Sequence, residues 1–172
     1  KAIINGTGSA QPKGVLAETV PADRTITVAE KITYTNVVDA EAALPQAYEG
    51  NSKWYMSKKT FMGFIGQVDS NGQPIARVNY GLGGAPERYI LGRPVVCNDY
   101  MESLSASTGN EKVVAFLFNM KNYALNTNYE MGIKTYEDND TDNQVMKAII
   151  LADGKVIDNN GLVFLKTAAA KA

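Results

Sequence analysis

The chain has 172 residues, 45% of them hydrophobic, with 17 basic and 18 acidic side chains and a formal charge of −1. That length holds one domain or two small lobes around a core that needs no staples, and so even a charge balance argues against a phosphate-binding surface as its main business. The lack of histidine removes the commonest general base and metal ligand, the single Cys97 rules out an intrachain disulfide, and no run of about 18 apolar residues is present to span a membrane.

No signal-peptide pattern is visible, and a chain that starts at Lys1 in mid-structure reads as a piece of something longer. Its first residues give a short apolar run, Ala2-Ile3-Ile4, and then a loop carrying Gly6, Gly8, Pro12 and Gly14. A Gly-x-Gly pair after a strand invites a nucleotide reading, but the third glycine and the Gly-Lys-Ser/Thr of a phosphate loop are both missing. Proline and other turn formers stand where the helix should begin, so a structural turn outweighs a phosphate cradle. Residues 25–28 are β-branched and predict a strand. A helix is expected over 37–48, capped by Asn36 or Thr35, with Val37, Glu41, Leu44 and Tyr48 on one face. Pro45 should kink or interrupt it, and Gly50 should end it.

The chain is organised around residues 53–96. Trp54-Tyr55-Met56 is extended, and Ser57 can cap a helix by accepting a first-turn N–H. Phe61, Met62, Phe64, Ile65 and Val68 then predict one apolar helical stripe, stopped by the turn formers Asp69-Ser70-Asn71-Gly72. Residues 75–88, with Gly81, Gly83, Gly84 and Pro86, read as a long loop, and Pro94-Val95-Val96-Cys97 as a short apolar strand.

Residues 103–110 are a polar loop, and 113–118 are apolar without alternation, the pattern of a strand buried on both faces. Over 123–135 the alternation is clean, which predicts a long half-exposed strand or a strand pair. Residues 137–142 form an acidic loop, 145–151 a strand, Asp153-Gly154 a hairpin turn, and 162–165 a closing strand before a frayed tail.

Tests for chemistry come out bland. Cys97 sits in an apolar strand without a histidine to activate it and reads as core. Asp138, Asp140 and Asp142 alternate like the start of a calcium loop, but its glycine and closing glutamate are absent. Lys58 and Lys59 read as solvated first-turn lysines, and Trp54, Tyr55, Phe61 and Phe64 as core. Glu41 and Glu49 make no convincing carboxylate pair. The residues name no catalytic group, no cofactor and no metal site.

Three segments in order carry a resemblance. They are Ala2-Ile3-Ile4-Asn5-Gly6-Thr7-Gly8 with Gln11-Pro12-Lys13-Gly14-Val15-Leu16, then Asn51-Ser52-Lys53-Trp54-Tyr55-Met56-Ser57, then Leu91-Gly92-Arg93-Pro94-Val95-Val96-Cys97-Asn98-Asp99. Asp153-Gly154-Lys155-Val156-Ile157 leading to Leu162-Val163-Phe164-Leu165-Lys166 adds a fourth. Together they resemble the major capsid protein of tailed bacteriophages, the Hong Kong 97 type.

The resemblance implies an α+β fold: an axial domain with helices around a mixed sheet, plus the strand-rich part of a peripheral domain. Residues 29–128 would be the axial domain, and 1–28 and 129–172 the peripheral segments. The N-terminal arm, extended loop and spine helix of the family would lie upstream, so this piece alone is expected to be monomeric or weakly associated. The chain would be a structural subunit of an icosahedral shell around a genome, located in the virion capsid and in host cytoplasm before assembly. Its partners would be copies of itself in pentamers and hexamers, with a scaffold or protease during assembly, and neither membrane nor sequence-specific nucleic acid. Some members crosslink a lysine to an asparagine, but Lys147 stands about where that asparagine is expected, so crosslinking is not supported.

A shell subunit works by burying surface against its copies. The loop at 77–88 and the acidic loop are longer and more polar than a core requires, which makes Arg77, Glu87, Arg88, Glu137, Asp138, Asp140 and Asp142 candidate subunit contacts. Two other readings stay open. One is an encapsulin-like compartment shell. The other is a small carboxylate enzyme or ligand-binding module, which needs a concave site with paired carboxylates of perturbed pKa.

Overall fold

A computed structural model describes residues 1–29, 31–68, 88–104, 111–127, 132–138, 140, 142–149 and 151–168. In chain order the regular elements are α1 (Ala2–Asn5), β1 (Thr25–Val28), α2 (Tyr34–Ala42), β2 (Lys53–Met56), α3 (Lys58–Ile65), β3 (Tyr89–Ile90), β4 (Arg93–Cys97), β5 (Val113–Phe118), β6 (Tyr123–Thr127), β7 (Gly132–Asp138), β8 (Asn143–Ile149), β9 (Ala152–Val156) and β10 (Val163–Thr167). They fall into two compact units, Lys1–Ala17 with Tyr123–Ile157, and Glu18–Asn122 with Asp158–Ala172.

The second unit is built on a mixed six-stranded sheet in the order β1-β10-β5-β2-β4-β3. Its middle is β5, where Val114 to Phe118 are all fully buried, as their unbroken apolar run requires. Phe164, Phe116 and Tyr55 stand in one row across β10, β5 and β2, and the Tyr55 and Phe116 rings stack with centroids 4.8 Å apart. Burial raises the Tyr55 phenol above its ordinary value. Trp54, Ala115, Leu117, Val163 and Leu165 join the main apolar cluster with Val37, Ala40 and Leu44 of the α2 segment and Phe61 and Phe64 of α3.

Both helices start where side chains satisfy the first free N–H groups. Thr33 caps α2: its Oγ1 accepts from Asn36 N, while Asn36 Oδ1 accepts from Thr33 N. The cap therefore lies before the expected Asn36 or Thr35. The helix ends at Ala42 rather than 48, because Pro45 takes an extended ψ of 139° and a separate short turn follows at Gln46–Tyr48. Ser57 caps α3 by accepting from Thr60 N at 3.2 Å. The stripe is narrower than expected: Phe61 and Phe64 are buried, but Met62 is 48% and Val68 57% exposed. The helix stops at Ile65 with Gly66 as its cap, so Val68 leaves the helical register; the expected stop at 69–72 lies outside the described residues.

The β3–β4 hairpin turns through Leu91 and Gly92, both at positive φ (48° and 76°), the geometry of a two-residue primed turn. Strands β1 and β10, assigned by sequence to the two peripheral segments, both belong to this sheet. The two units divide the chain at 17/18, 122/123 and 157/158, whereas the expected axial and peripheral segments divide it at 28/29 and 128/129. Parallel pairing of β1 on β10, Ile26 opposite Leu165, is what joins β1 and β10 to the sheet-bearing unit.

The first unit holds α1 and two separate ribbons, β6–β9 and β7–β8. Ala2-Ile3-Ile4 is a single helical turn, not a strand. Gly6 N–H donates to Ala2 O and Gly14 N–H to Gly6 O, so these donors are engaged inside the loop rather than facing a phosphate. A Cβ on Gly6 would sit 1.9 Å from Pro12 O, which explains the glycine by close backbone approach. The expected turn at Asp153-Gly154 is also corrected: both residues lie inside β9, opposite Asn126 and Leu125. Gly154 is there because the Tyr123 ring covers it, and a Cβ would meet Tyr123 Oη at 2.7 Å.

Candidate functional site

The acidic segment is mostly strand. Glu137 and Asp138 end β7, opposite Gln144 and Asn143, and Asp140 and Asp142 lie in the connection to β8. Asp142 takes φ 52°, a conformation that Asp tolerates in turns. The register thus brings four of the sequence-selected residues to the tip of one ribbon, with Glu137, Asp140 and Asp142 exposed. Further down the stem, Lys134 and Lys147 stand directly opposite each other, and so do Tyr136 and Val145. Ile133, Tyr136 and Met146 are 58%, 52% and 71% exposed. The half-buried alternation expected for 123–135 is absent here, because this ribbon has two strands and its described side chains on both faces reach solvent.

Arg88 belongs to the sheet-bearing unit. It is half-buried, its guanidinium carbon is 6.0 Å from the Phe61 ring centroid, and its carbonyl accepts from Val95 N at 2.8 Å. That is a cation–π contact within the subunit. Arg77 and Glu87 lie outside the described residues.

Two polar knots escaped the sequence reading. Arg93 places Nε and Nη2 at 2.6 and 2.5 Å from Glu41 Oε1 and Nη1 at 2.6 Å from the Glu49 carbonyl. It thus ties β4 to α2 and to the loop before β2. Tyr48 donates to Asp158 Oδ2 at 2.6 Å. Arg24 donates to the carbonyls of Asn159 and Asn160, and Asn159 Nδ2 to Thr19 O. The Tyr48 hydroxyl and the Asn160 N–H hold the Asp158 carboxyl below its ordinary range, and the same bond holds the Tyr48 phenol above its own. The signal for the first knot was present in Arg93 of the Leu91–Asp99 segment, but its partner is 52 residues away.

A groove of about 640 Å³ beside α3 is lined by Lys31, Thr33, Lys59, Thr60, Phe64 and Gln67, among others, and by no carboxylate. Among the described residues no three Cys, Asp or Glu side chains converge as a metal site would require, and no helix is long and apolar enough to cross a membrane. Cys97 is a half-buried free thiol on β4.

A mixed sheet with helices on its apolar cluster in one unit, and two-stranded ribbons in the other, is the fold of phage-capsid-like shell proteins. The capsid of the native GTA particle is similar over 98% of this chain and 60% of that one, with a TM-score of 0.78 and 22% identity. The holo-SrpI encapsulin complex from Synechococcus elongatus PCC 7942 is similar over 96% of this chain and 58% of that one (TM-score 0.64, 13% identity). A chain of Gordonia phage Cozz follows over 98% and 58% (TM-score 0.57, 16% identity). The chain therefore spans about 60% of the length of these solved relatives. The chain belongs to the phage capsid family, whose model matches residues 1–167. No curated protein matches the sequence significantly.

Proposed function

We propose that this chain is the shell-forming portion of a bacteriophage capsid subunit, and that its work is geometric fit to copies of itself rather than catalysis. The observation that carries the reading is membership of the phage capsid family over residues 1–167. The sheet-bearing unit takes the role of the axial domain, the tip of which packs around vertices. The ribbon-bearing unit belongs to the peripheral domain. A two-stranded ribbon is marginal alone in water, and exposed Ile133, Tyr136 and Met146 give a neighbour something dry to cover. A scaffold or a protease acts during assembly, which takes place in the host cytoplasm before the shell becomes part of the virion.

The test is electron microscopy and sedimentation of the expressed subunit in its longest natural form. Closed particles of uniform size are expected. A protein that stays monomeric at every concentration overturns the reading. The encapsulin likeness, at a TM-score of 0.64, favours a second reading, a compartment enclosing proteins. Particle contents separate the two: nucleic acid for the capsid, a specific protein for the compartment.

A further inference from the structure

We infer that the Lys134–Lys147 pair on the β7–β8 stem is the seat for the acidic tip of the same ribbon on a second copy of this chain. The inference rests on the shell reading above and names the contact. Residues directly opposite in an antiparallel pair hold their Cβ atoms about 5 Å apart, and like charges there are destabilising. This ribbon places two lysines in that position. Neither has an ion-pair partner among the described residues. A ribbon with so little stability to spare carries a self-repelling pair, which only an external anion turns into an asset.

The matching anion is on the same ribbon. Glu137 is three residues beyond Lys134, and Asp142 five before Lys147. At about 3.4 Å per residue those backbone positions lie roughly 10–17 Å along the strands from the lysines, and neither lysine forms an ion pair with them among the described residues. The tip therefore leaves its own stem uncompensated. A second copy, shifted by that length, lays its tip on the first copy's lysines. Exposed Tyr136 and its opposite Val145 lie between the two charged zones and supply apolar surface to the contact. A nucleic acid would meet the tip's carboxylates and be repelled; a copy of the ribbon satisfies both ends.

The test uses a substitution whose two consequences have opposite signs. Lys134→Glu replaces a like-charge cross-strand pair by an opposed one, so the unassembled subunit should keep or raise its melting temperature. Assembly should nevertheless need roughly tenfold more protein, because the seat is gone. A chain with both lysines changed to Glu and with Glu137, Asp138, Asp140 and Asp142 all changed to Lys, so that the sign of stem and tip is inverted together, should recover assembly. Unchanged assembly in Lys134→Glu, or no recovery in the fully reversed chain, overturns this contact while leaving the shell reading in place. A wild-type subunit that forms no particle removes both.

Discussion

Arg93 and Glu41 meet through one oxygen: Nε and Nη2 of the guanidinium both converge on Glu41 Oε1, at 2.6 and 2.5 Å. The pair is mostly shielded, with side chains 15% and 26% exposed. Lysine offers no planar fork and cannot also reach the Glu49 carbonyl. Arg93→Lys should therefore destabilise the subunit by about 1–3 kcal/mol, read as a lower urea midpoint at unchanged slope. Lys112→Ala removes the exposed pair with Glu102, and it should change stability by less than about 1 kcal/mol in the same assay.

Gly161 lies under Tyr48, where a Cβ would stand 2.8 Å from the ring's Cγ and Cδ1. Gly161→Ala should push the ring aside and lower stability by about 1–3 kcal/mol. Tyr48→Phe removes only the hydroxyl and should lower the urea midpoint by less than Gly161→Ala does. In the double variant most of the Tyr48→Phe effect should vanish, since the bond to Asp158 is already broken. Urea unfolding in a double-mutant cycle measures that coupling.

The Tyr48–Asp158 bond also sets a pH dependence. Asp158 titrates lower in the fold, so its contribution is present above the ordinary carboxylate value of about 4 and is lost as pH falls through the folded one. Tyr48 titrates higher in the fold, so its contribution is present below about pH 10 and is lost as pH rises through the folded value. Melting temperatures of wild type and Tyr48→Phe should differ most in the neutral range and converge at both extremes. A constant difference from pH 3 to 11 contradicts the assignment.

The face of α3 gives a paired test. Phe64 is 4% exposed and Met62 48%. Phe64→Ala should lose about 3–5 kcal/mol through lost burial and a residual cavity. Met62→Ala, on the neighbouring face, should stay within about 1 kcal/mol. Thermal or urea unfolding of both variants decides it.

The parts legible in sequence were those written in consecutive residues. The β5 run announced a strand buried on both sides, Ser57 announced its cap, and Pro45 announced a break. What stayed hidden depends on distant partners. Asp153-Gly154 has the local signature of a turn, but Tyr123 comes from another strand and makes that glycine a floor for its ring. Leu91 carries no sign of positive φ, because the preference of leucine is overridden by the pairing of Tyr89 with Pro94. The acidic cluster at 137–142 was visible as charge, but its partial conversion to strand follows from pairing with 143–149. Of the candidate contacts, Arg88 turned out to face Phe61 of its own subunit.

The position of β10 has a consequence for synthesis. It lies between β1 and β5, yet it emerges from the ribosome after both, separated from β5 by about 45 residues. Until it arrives, the apolar flank of β5 is an open edge able to pair with other nascent chains. Slow closure of so non-local a sheet leaves that window open longest when translation is crowded, so yield in a foreign host should hinge on holding residues 113–118 apart until the last strand arrives.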